Sequence, residues 1–423
     1  MILRARLILP ISAPPIEDGA LVIRKGRIVA VGRWSDLRNA QKGRPTDAGE
    51  AIILPGFVNA HCHLDYTDMG GLLPPPRLFP DWIKGLVALK ASWSYSEYAA
   101  SWLHGARMLL ESGVTTVADI EAVPELLPEV WAATPLRIFS FLELLNVKEW
   151  LRAGAIVRQA EDQGMQLARK APKNRCWIGL SPHAPYTTSP DLIRAVAAAA
   201  RKHGWLLTTH LAESREEFDM FARGAGPLHN WLAPQRGGVP VCGSPTRYIA
   251  SAGLPGPDLI AAHANYLAPG DARLLGDHGV SVAHCPRCHA YMGHERFPLQ
   301  ELASNGVNVC LGTDSLASVR RQGKQRLALD FPAELRQLAS REPGLSAAQI
   351  LRMATWNGAR ALRREEDVGH LATGTFADLI TIPHQGPTRE AEEAVINHRG
   401  PVASCMIGGR WVFPARFPRH VSP

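Results

Sequence analysis

Two histidines, His61 and His63, stand on either side of Cys62 at the end of an apolar run. In an extended strand alternate side chains point to one face, so both imidazoles would face the same way and could bind one metal ion. A His-x-His pair on an exposed strand also occurs without any metal. The pair therefore needs partners from elsewhere in the chain.

Apolar, strand-like runs recur through the middle of the chain, and helical segments separate many of them. The clearest predicted helix is SPDLIRAVAAAARKHG, in which Ser189 can cap the start, Pro190 takes the first helical position and Gly204 ends the helix. Eight runs can be counted between residues 57 and 368, beginning near residues 57, 114, 136, 176, 205, 258, 279 and 306. Eight strand and helix units predict an α/β fold of the (β/α)8 TIM barrel type, with functional groups at the C-terminal ends of the strands.

Both ends of the chain consist of short strands joined by glycine turns. The segment GALVIRKGRIVAVG predicts a hairpin that turns at Lys25 and Gly26, and SCMIGGRWVF predicts another that turns at Gly408 and Gly409. We predict that the two ends combine into one small β-sandwich domain. The predicted division is 1–56 and 369–423 for this domain and 57–368 for the barrel.

The composition excludes several functional classes. Of the 423 residues, 46% are hydrophobic and 20% are charged, which is typical of an ordinary globular protein. The net charge of +7 is scattered, and the densest basic run, RRQGKQR at 320–326, predicts a solvated segment rather than a nucleic-acid surface. Seven cysteines without a regular framework favour a reducing compartment. The start reads as a strand rather than a signal peptide, and no run reaches the ~20 apolar residues of a membrane span, so we expect a cytoplasmic protein.

Residues that bind metals or transfer protons are concentrated at the ends of the predicted strands. Because the C-terminal ends of barrel strands meet at one face, these side chains are expected to lie close together. In chain order they are His61 and His63 on the first strand, His183 on the fourth, His210 on the fifth, His263 on the sixth, His284 near the seventh and Asp314 on the eighth.

The motifs HCH, THLAE, AHANY, HCPRC and GTDS follow in this order on these strands. In this combination the chain resembles the amidohydrolase superfamily, and within it the branch of cytosine deaminase, chlorohydrolases and S-adenosylhomocysteine deaminase. The resemblance covers nearly the whole chain. It implies one divalent metal, for which Zn²⁺ is well suited although Fe²⁺ and Mn²⁺ accept similar ligands. The implied ligands are His61, His63, His210 and Asp314. The fourth strand ends in SPHAPY, without the lysine that bridges two metals in binuclear relatives, which favours a single ion.

The same resemblance implies the catalytic roles. Glu213 would transfer protons, Asp314 would accept a proton from water, and His263 would orient the water or the tetrahedral centre. A divalent cation lowers the pKa of water and so provides a nucleophile at neutral pH. The expected reaction is the hydrolytic deamination of an aminated heterocycle. Cys288 and His289 depart from the family, which usually carries serine and asparagine there, so details of the substrate cannot be transferred.

Substrate contacts are predicted from residues near the strand ends. The segment around Phe79 and Trp82, with HLAESREEFDMFARGAGPLHNWL, resembles enzymes that deaminate adenine-type nucleosides, including aminodeoxyfutalosine deaminase. The two aromatic residues either stack on a planar heterocycle or pack the barrel mouth. His183 is expected to contact substrate, and Tyr186 and Arg287 could meet a ribose hydroxyl or a carboxylate. For Arg287 a salt bridge at the barrel rim is an equal alternative.

The expected partner is a small heterocyclic substrate, with no nucleic acid and no membrane, while a homo-oligomer stays possible. One alternative is a hydrolase that acts on another C–N bond or on a C–Cl bond at a heterocyclic carbon, because the metal ligands do not specify the leaving group. Another alternative is a barrel that has lost catalysis and only binds. Competent residues occupy every ligand position, which argues against this second alternative.

Overall fold

The structure is a computed structural model of the chain, and it describes residues 1–38, 45–148, 150–321 and 327–414. Most of the basic run 320–326 therefore lies outside the described residues, as does the end of the predicted C-terminal segment 369–423. The described residues form sixteen strands, numbered β1 to β16 in chain order: Ile2–Ile8, Ile16–Arg24, Arg27–Arg33, Thr46–Asp47, Ala51–Pro55, Phe57–Cys62, Val114–Glu121, Arg137–Leu144, Cys176–Pro182, Leu206–Leu211, Leu259–His263, Ser281–His284, Asn308–Leu311, Leu379–Pro383, Ser404–Ile407 and Arg410–Phe413.

The α-helices that connect and cover these strands are numbered α1 to α16 over the same described ranges: Trp34–Leu37, Phe79–Ser92, Tyr95–Glu111, Leu127–Ala133, Ala153–Lys170, Pro190–His203, Arg215–Arg223, Pro227–Leu232, Pro245–Ser251, Asp271–Asp277, Pro286–Met292, Leu299–Ser304, Phe331–Arg341, Ala347–Met353, Trp356–Ala361 and Ala391–Asn397. Short 3₁₀ helices lie at Leu64–Met69, Pro124–Leu126, Pro185–Thr187, Ala233–Gln235, Leu316–Ser318 and Thr388–Glu390.

Strands β6 to β13 form a barrel, which confirms the predicted fold class. Each strand pairs in parallel with the next one in the chain, and β6 meets β13 through a parallel bridge between Cys62 and Asp314. At this seam the backbone N–H of Thr313 donates to the carbonyl of His61 at 3.0 Å. A Cβ atom at Gly312 would lie 2.7 Å from that same carbonyl oxygen, so only glycine permits the two strands to approach this closely.

Helix caps define the ends of helices that surround the barrel, and those of α6 are the predicted residues. Helix α6 starts after Ser189, whose side chain accepts a hydrogen bond from the backbone of Leu192, and it ends at Gly204 with φ of 65°. Helix α3 starts after Ser94, which forms a capping box with Glu97. A side-chain oxygen at the first position and a left-handed glycine at the last one satisfy backbone groups that the helix itself leaves unpaired.

The small domain draws its strands from both chain ends. Its hydrogen-bonded order is β16, β15, β14, β5, β1, β2 and β3, with β4 on β1. The hairpins that turn at Lys25 and Gly26 and at Gly408 and Gly409 are confirmed. Strands β5 and β6, on either side of Gly56, belong to different sheets. The division at residues 56 and 368 stays a prediction.

A buried ion pair joins the small domain to the barrel. Arg137, at the start of β8, contacts Asp378, the residue before β14, through Nε and through Nη2 at 3.0 Å. Asp378 Oδ1 also accepts the backbone N–H of Gly408 at 2.7 Å. The Arg137 guanidinium lies 3.8 Å from the centre of the Phe376 ring, a cation–π contact. The start of β8 in the barrel is thus attached to the start of β14 in the small domain through hydrogen-bonded polar groups.

Two findings bear on the environment of the protein. All seven cysteines fall within the described residues and all are free. Among the helices that the structure describes, none has the length and apolar character needed to cross a bilayer. The cytoplasmic location stays a prediction.

Candidate active site

The residues predicted to bind the metal or to transfer protons converge at the C-terminal end of the barrel. His61 lies in β6, His210 in β10 and His263 at the end of β11, while Glu213 and Asp314 follow β10 and β13 by two and three residues. His63 begins the turn after β6 and still faces the others. All of these side chains are buried.

Three histidines and one aspartate bring their ligand atoms together. The Nε2 atoms of His63 and His210 are 3.1 Å apart, and Asp314 Oδ1 is 3.6 Å from Nε2 of both His61 and His63. The ligand atoms of His61, His63 and His210 all lie within 4.8 Å of one another. Residues separated by up to 253 positions in the sequence thus surround one point, as a single cation requires.

The hydrogen bonding of this cluster fits a metal ion. Both ring nitrogens of His61 are buried and have no hydrogen-bond partner among the described residues. His210 donates from Nδ1 to the carbonyl of His183 at 2.9 Å, which leaves Nε2 free to bind a metal. Ser318 donates to Asp314 Oδ2 at 2.8 Å and so directs Oδ1 toward the histidines. Imidazole nitrogens with a carboxylate are a donor set that Zn²⁺ accepts.

Burial sets the charge of these groups. It lowers the pKa of His63 and of His210 well below the usual range and lowers the pKa of His263 to about 3, so the imidazoles are neutral and able to bind a metal. Burial alone would raise the pKa of Asp314, but the interactions with His61 and with the other nearby histidines outweigh it, and that pKa is lowered. Asp314 is therefore a carboxylate facing neutral ligands.

Glu213 lies next to this cluster in a protonatable state. Burial, followed by the negative charge of Asp314, raises the pKa of Glu213 well above the usual value of a carboxyl group. Its Oε1 is 3.9 Å from Nε2 of His263. Glu217 accepts the backbone N–H groups of Ala212 and Glu213 at 3.0 and 2.8 Å and so holds the loop after β10. A carboxyl group with a raised pKa can donate a proton at neutral pH.

Four of the nine non-glycine residues that have positive φ in the described part of the chain lie at these strand ends. Ala212, His263, Ala264 and Asp314 have φ of 48°, 73°, 50° and 54°, in the left-handed region that residues with a Cβ atom rarely adopt. Such conformations cost of order 1–3 kcal/mol each and persist where the surrounding structure fixes them, most often at functional sites. Here they turn the side chains of His263 and Asp314 into the cluster.

A cavity of about 320 Å³ opens over the cluster, and its floor includes His63, His210, Glu213 and Asp314. Four predicted substrate contacts line its walls: Phe79, Trp82, His183 and Tyr186. The rings of Phe79 and Trp82 lie 6.3 Å apart at 20°, and Tyr186 meets Phe79 edge to face at 6.2 Å. The walls are thus largely aromatic and apolar, as in pockets for planar ligands.

Arg287 is not brought to this cavity. Its guanidinium donates to the carbonyl of Ala328 at 3.0 Å and lies 3.6 Å from the buried carboxyl group of Glu334. This arrangement corresponds to the alternative reading of Arg287, a salt bridge at the barrel rim. His284 stacks on Phe297 at 3.8 Å, away from the predicted ligands.

Several residues of the site were not predicted from the sequence. Tyr66 stacks on His63 with ring centres 5.1 Å apart, and Lys90 contacts the hydroxyl group of Tyr66. Glu143 lies 3.9 Å from Nε2 of His183. Glu143 is in the last two residues of a barrel strand, a position that the strand-end rule could have identified. Tyr66 and Lys90 lie outside the strands, where no such signal exists.

Comparisons with known proteins identify relatives in sequence and in fold. The 5-methylthioadenosine/S-adenosylhomocysteine deaminase of Syntrophobacter fumaroxidans is 30% identical over 388 residues, covering 88% of this chain and 81% of the relative. The structure of Helicobacter pylori aminofutalosine deaminase with methylthio-coformycin has a TM-score of 0.86 at 20% identity, covering 97% of this chain and 99% of that one. A variant of atrazine chlorohydrolase from Arthrobacter aurescens, with zinc and atraton, has a TM-score of 0.81 at 21% identity, with coverage of 97% and 94%.

The two solved structures show a shared fold, which by itself does not specify a reaction. The family assignment has a broader basis, because the sequence model of the Amidohydrolase family matches residues 52–412. The chain belongs to the amidohydrolase family, a family of metal-dependent hydrolases.

Proposed function

We propose that this protein is a metal-dependent aminohydrolase that converts an adenine-type nucleoside and water into the corresponding oxo nucleoside and ammonia. One observation carries the proposal: a cluster of metal ligands, a protonatable Glu213 and the imidazole of His263 lie together at the floor of an aromatic cavity. The naming of the Syntrophobacter relative as a 5-methylthioadenosine/S-adenosylhomocysteine deaminase supports the class of substrate.

We assign the metal ligands to His61, His63, His210 and Asp314. One divalent cation, with Zn²⁺ preferred and Fe²⁺ or Mn²⁺ acceptable, would supply the Lewis acidity that makes water a nucleophile at neutral pH. Asp314 is positioned to take up the proton that water loses. Its Oδ2 is already engaged by Ser318, so Oδ1 is the atom that faces the histidines.

Glu213 and His263 carry the remaining steps. The buried carboxyl group of Glu213 would donate a proton to the ring nitrogen beside the carbon that carries the amino group, which makes that carbon electrophilic. The Nε2 atom of His263, which has no hydrogen-bond partner in the part of the chain that the structure describes, would orient the oxygen that adds to this carbon. Proton transfer to the amino group then permits the C–N bond to break, ammonia leaves, and a carbonyl group remains.

The cavity favours a nucleoside with a neutral, apolar substituent. Phe79 and Trp82 would stack on the purine, and Leu86, Val87 and Leu145 extend the apolar lining. Among the described residues that line the cavity, Lys90 is the cationic one, and Tyr66 already contacts its ammonium group. With Arg287 engaged elsewhere, an anionic substituent would find little compensation. We therefore place 5-methylthioadenosine ahead of carboxylate-bearing nucleosides.

The test combines ammonia release with metal content on one preparation. We expect Glu213→Gln to lower turnover by about 10²–10⁴-fold, the usual contribution of a general acid or base, while the bound metal stays at one per chain. The substrate panel contains adenosine, 5-methylthioadenosine, S-adenosylhomocysteine, guanine, cytosine and a chlorinated triazine. Near-normal turnover by the variant would refute the role of Glu213.

The panel also decides between the alternatives. Chloride release from the triazine without ammonia release from any nucleoside would establish the chlorohydrolase alternative. Protein purified without a chelator that contains no stoichiometric divalent ion would favour a binding function instead. Oligomeric state can be measured on the same preparation by light scattering.

A further inference from the structure

A second group of potential metal ligands lies beside the first. Glu213, His263 and Cys288 each offer one ligand atom, and these three atoms lie within 4.8 Å of one another. All three residues are at most 4% exposed. The group shares no residue with the proposed ligand set of His61, His63, His210 and Asp314. Its His263 adjoins that set, because ligand atoms of His61, His263 and Asp314 also lie within 4.8 Å of one another.

Two of these atoms are already arranged for coordination. The Nε2 atom of His263 is buried without a hydrogen-bond partner, and it lies 3.9 Å from Oε1 of Glu213. Metal–ligand bonds of about 2.0–2.3 Å place the ligand atoms of a tetrahedral zinc site about 3.3–3.8 Å apart. Small side-chain shifts would therefore close the group around an ion, and Glu213 provides a route because it lines the cavity over the active site.

The donor set determines which ions would bind. One sulfur, one imidazole nitrogen and one carboxylate oxygen suit Zn²⁺ and its heavier analogue Cd²⁺, whereas Mg²⁺ and Ca²⁺ prefer oxygen ligands alone. Cys288 is the residue that makes the difference. Serine, usual at this position in the family that the chain resembles, would supply a weakly binding hydroxyl group in place of a thiolate.

We propose that Glu213, His263 and Cys288 form a second, inhibitory site for a thiophilic divalent cation such as Zn²⁺ or Cd²⁺. An ion bound there engages the carboxyl group and the imidazole to which the proposed deamination assigns proton transfer and orientation. Excess zinc therefore stops turnover. The expected inhibition rests on the proposed function. The binding of the second ion does not depend on it.

The experiment uses the full chain loaded with one equivalent of Zn²⁺ and titrated with Cd²⁺. Thiolate-to-cadmium charge-transfer absorbance in the ultraviolet reports binding to sulfur, and mass spectrometry counts the ions. The first site has no sulfur ligand, so it gives no such band. We expect one further ion per chain with a band in the wild type, and no band with at least about tenfold weaker binding in Cys288→Ser.

The matched control is Cys285→Ser, which removes a buried thiol three residues away and should leave the band unchanged. The absence of a band in the wild type at stoichiometric Cd²⁺, or an equal band in Cys288→Ser, would overturn the proposal. Cadmium NMR of the wild-type protein decides the question if the variant does not fold, since one sulfur ligand shifts the resonance and none leaves it in the range of oxygen and nitrogen sites.

Activity provides a separate readout. Excess Zn²⁺ should inhibit nucleoside deamination by the wild type at least about tenfold more strongly than by Cys288→Ser, in proportion to the difference in binding. Equal inhibition of both would contradict the proposed consequence. If no nucleoside is deaminated, the proposed function fails while the cadmium measurements still decide whether the second site exists.

Discussion

Two buried polar clusters in this protein are built in opposite ways. Where the small domain meets the barrel, Arg137 and Asp378 are 5% and 3% exposed, and both are hydrogen-bonded within the protein. At the C-terminal end of the barrel, His61 is just as buried, yet neither ring nitrogen has a partner. Burial is the same, and hydrogen-bond satisfaction differs.

Buried polar groups that serve structure and those that serve function differ in whether the protein supplies their hydrogen-bond partners. A buried polar group without a partner costs about 1–3 kcal/mol, so proteins retain it where a ligand supplies what the chain does not. The Arg137 cluster is complete without any ligand and serves the docking of two domains. The proposed cation would complete the histidine cluster, and strained backbone at His263 and Asp314 accompanies it.

The largest expected effect concerns the domain contact. Arg137→Met should lower the free energy of unfolding by about 3–5 kcal/mol, because it leaves the buried carboxylate of Asp378 without its cation. Urea denaturation measures this change. The double variant Arg137→Met with Asp378→Leu is the control and should recover part of the loss. A loss below about 1 kcal/mol would show that the ion pair of Arg137 and Asp378 does not stabilise the contact between the small domain and the barrel.

An intermediate effect is expected at the edge of the metal cluster. Ser318→Ala removes the hydrogen bond to Oδ2 of Asp314 and should weaken metal binding by about 10–100-fold, as for other residues that orient a ligand. Competition with a chelator measures the affinity. The unfolding free energy of the metal-free protein should change by only about 0.5–1.5 kcal/mol. Unaltered metal affinity would show that Ser318 does not orient Asp314 for metal binding.

The smallest catalytic effect is expected for Arg287. Arg287→Met should leave KM unchanged for adenosine and for a carboxylate-bearing nucleoside alike, because the guanidinium contacts Glu334 and Ala328 rather than the cavity. Steady-state kinetics on both substrates provide the measurement. A higher KM for the acidic nucleoside alone would mean that Arg287 contacts the substrate rather than only Glu334 and Ala328.

Local sequence signals were sufficient for the fold. Barrel strands are buried on both faces and so appear as continuous apolar runs, and helices such as α6 carry a serine cap and a terminal glycine. What local signals could not provide is contact between distant segments. The pairing of β5 with β14 and the ion pair of Arg137 with Asp378 depend on tertiary packing alone.

The site was predictable to the extent that strand ends can be recognised. That rule placed His61, His210 and Asp314 on one face, because parallel strands end together. It could not decide between two orientations of Arg287, since both a rim carboxylate and a substrate would attract a guanidinium. Nor could it find Lys90 or Tyr66, which reach the cavity from a helix and a 3₁₀ turn.

The small domain has a consequence for protein synthesis. Strand β5 pairs with β14, and Leu379 lies 324 positions after Pro55 in the chain. At translation rates of roughly 5–20 residues per second, β5 waits about 16–65 s for its neighbour to leave the ribosome. During that interval the apolar strand that contains Ile52, Ile53 and Leu54 has an edge without its native partner, and such an edge can pair with another chain.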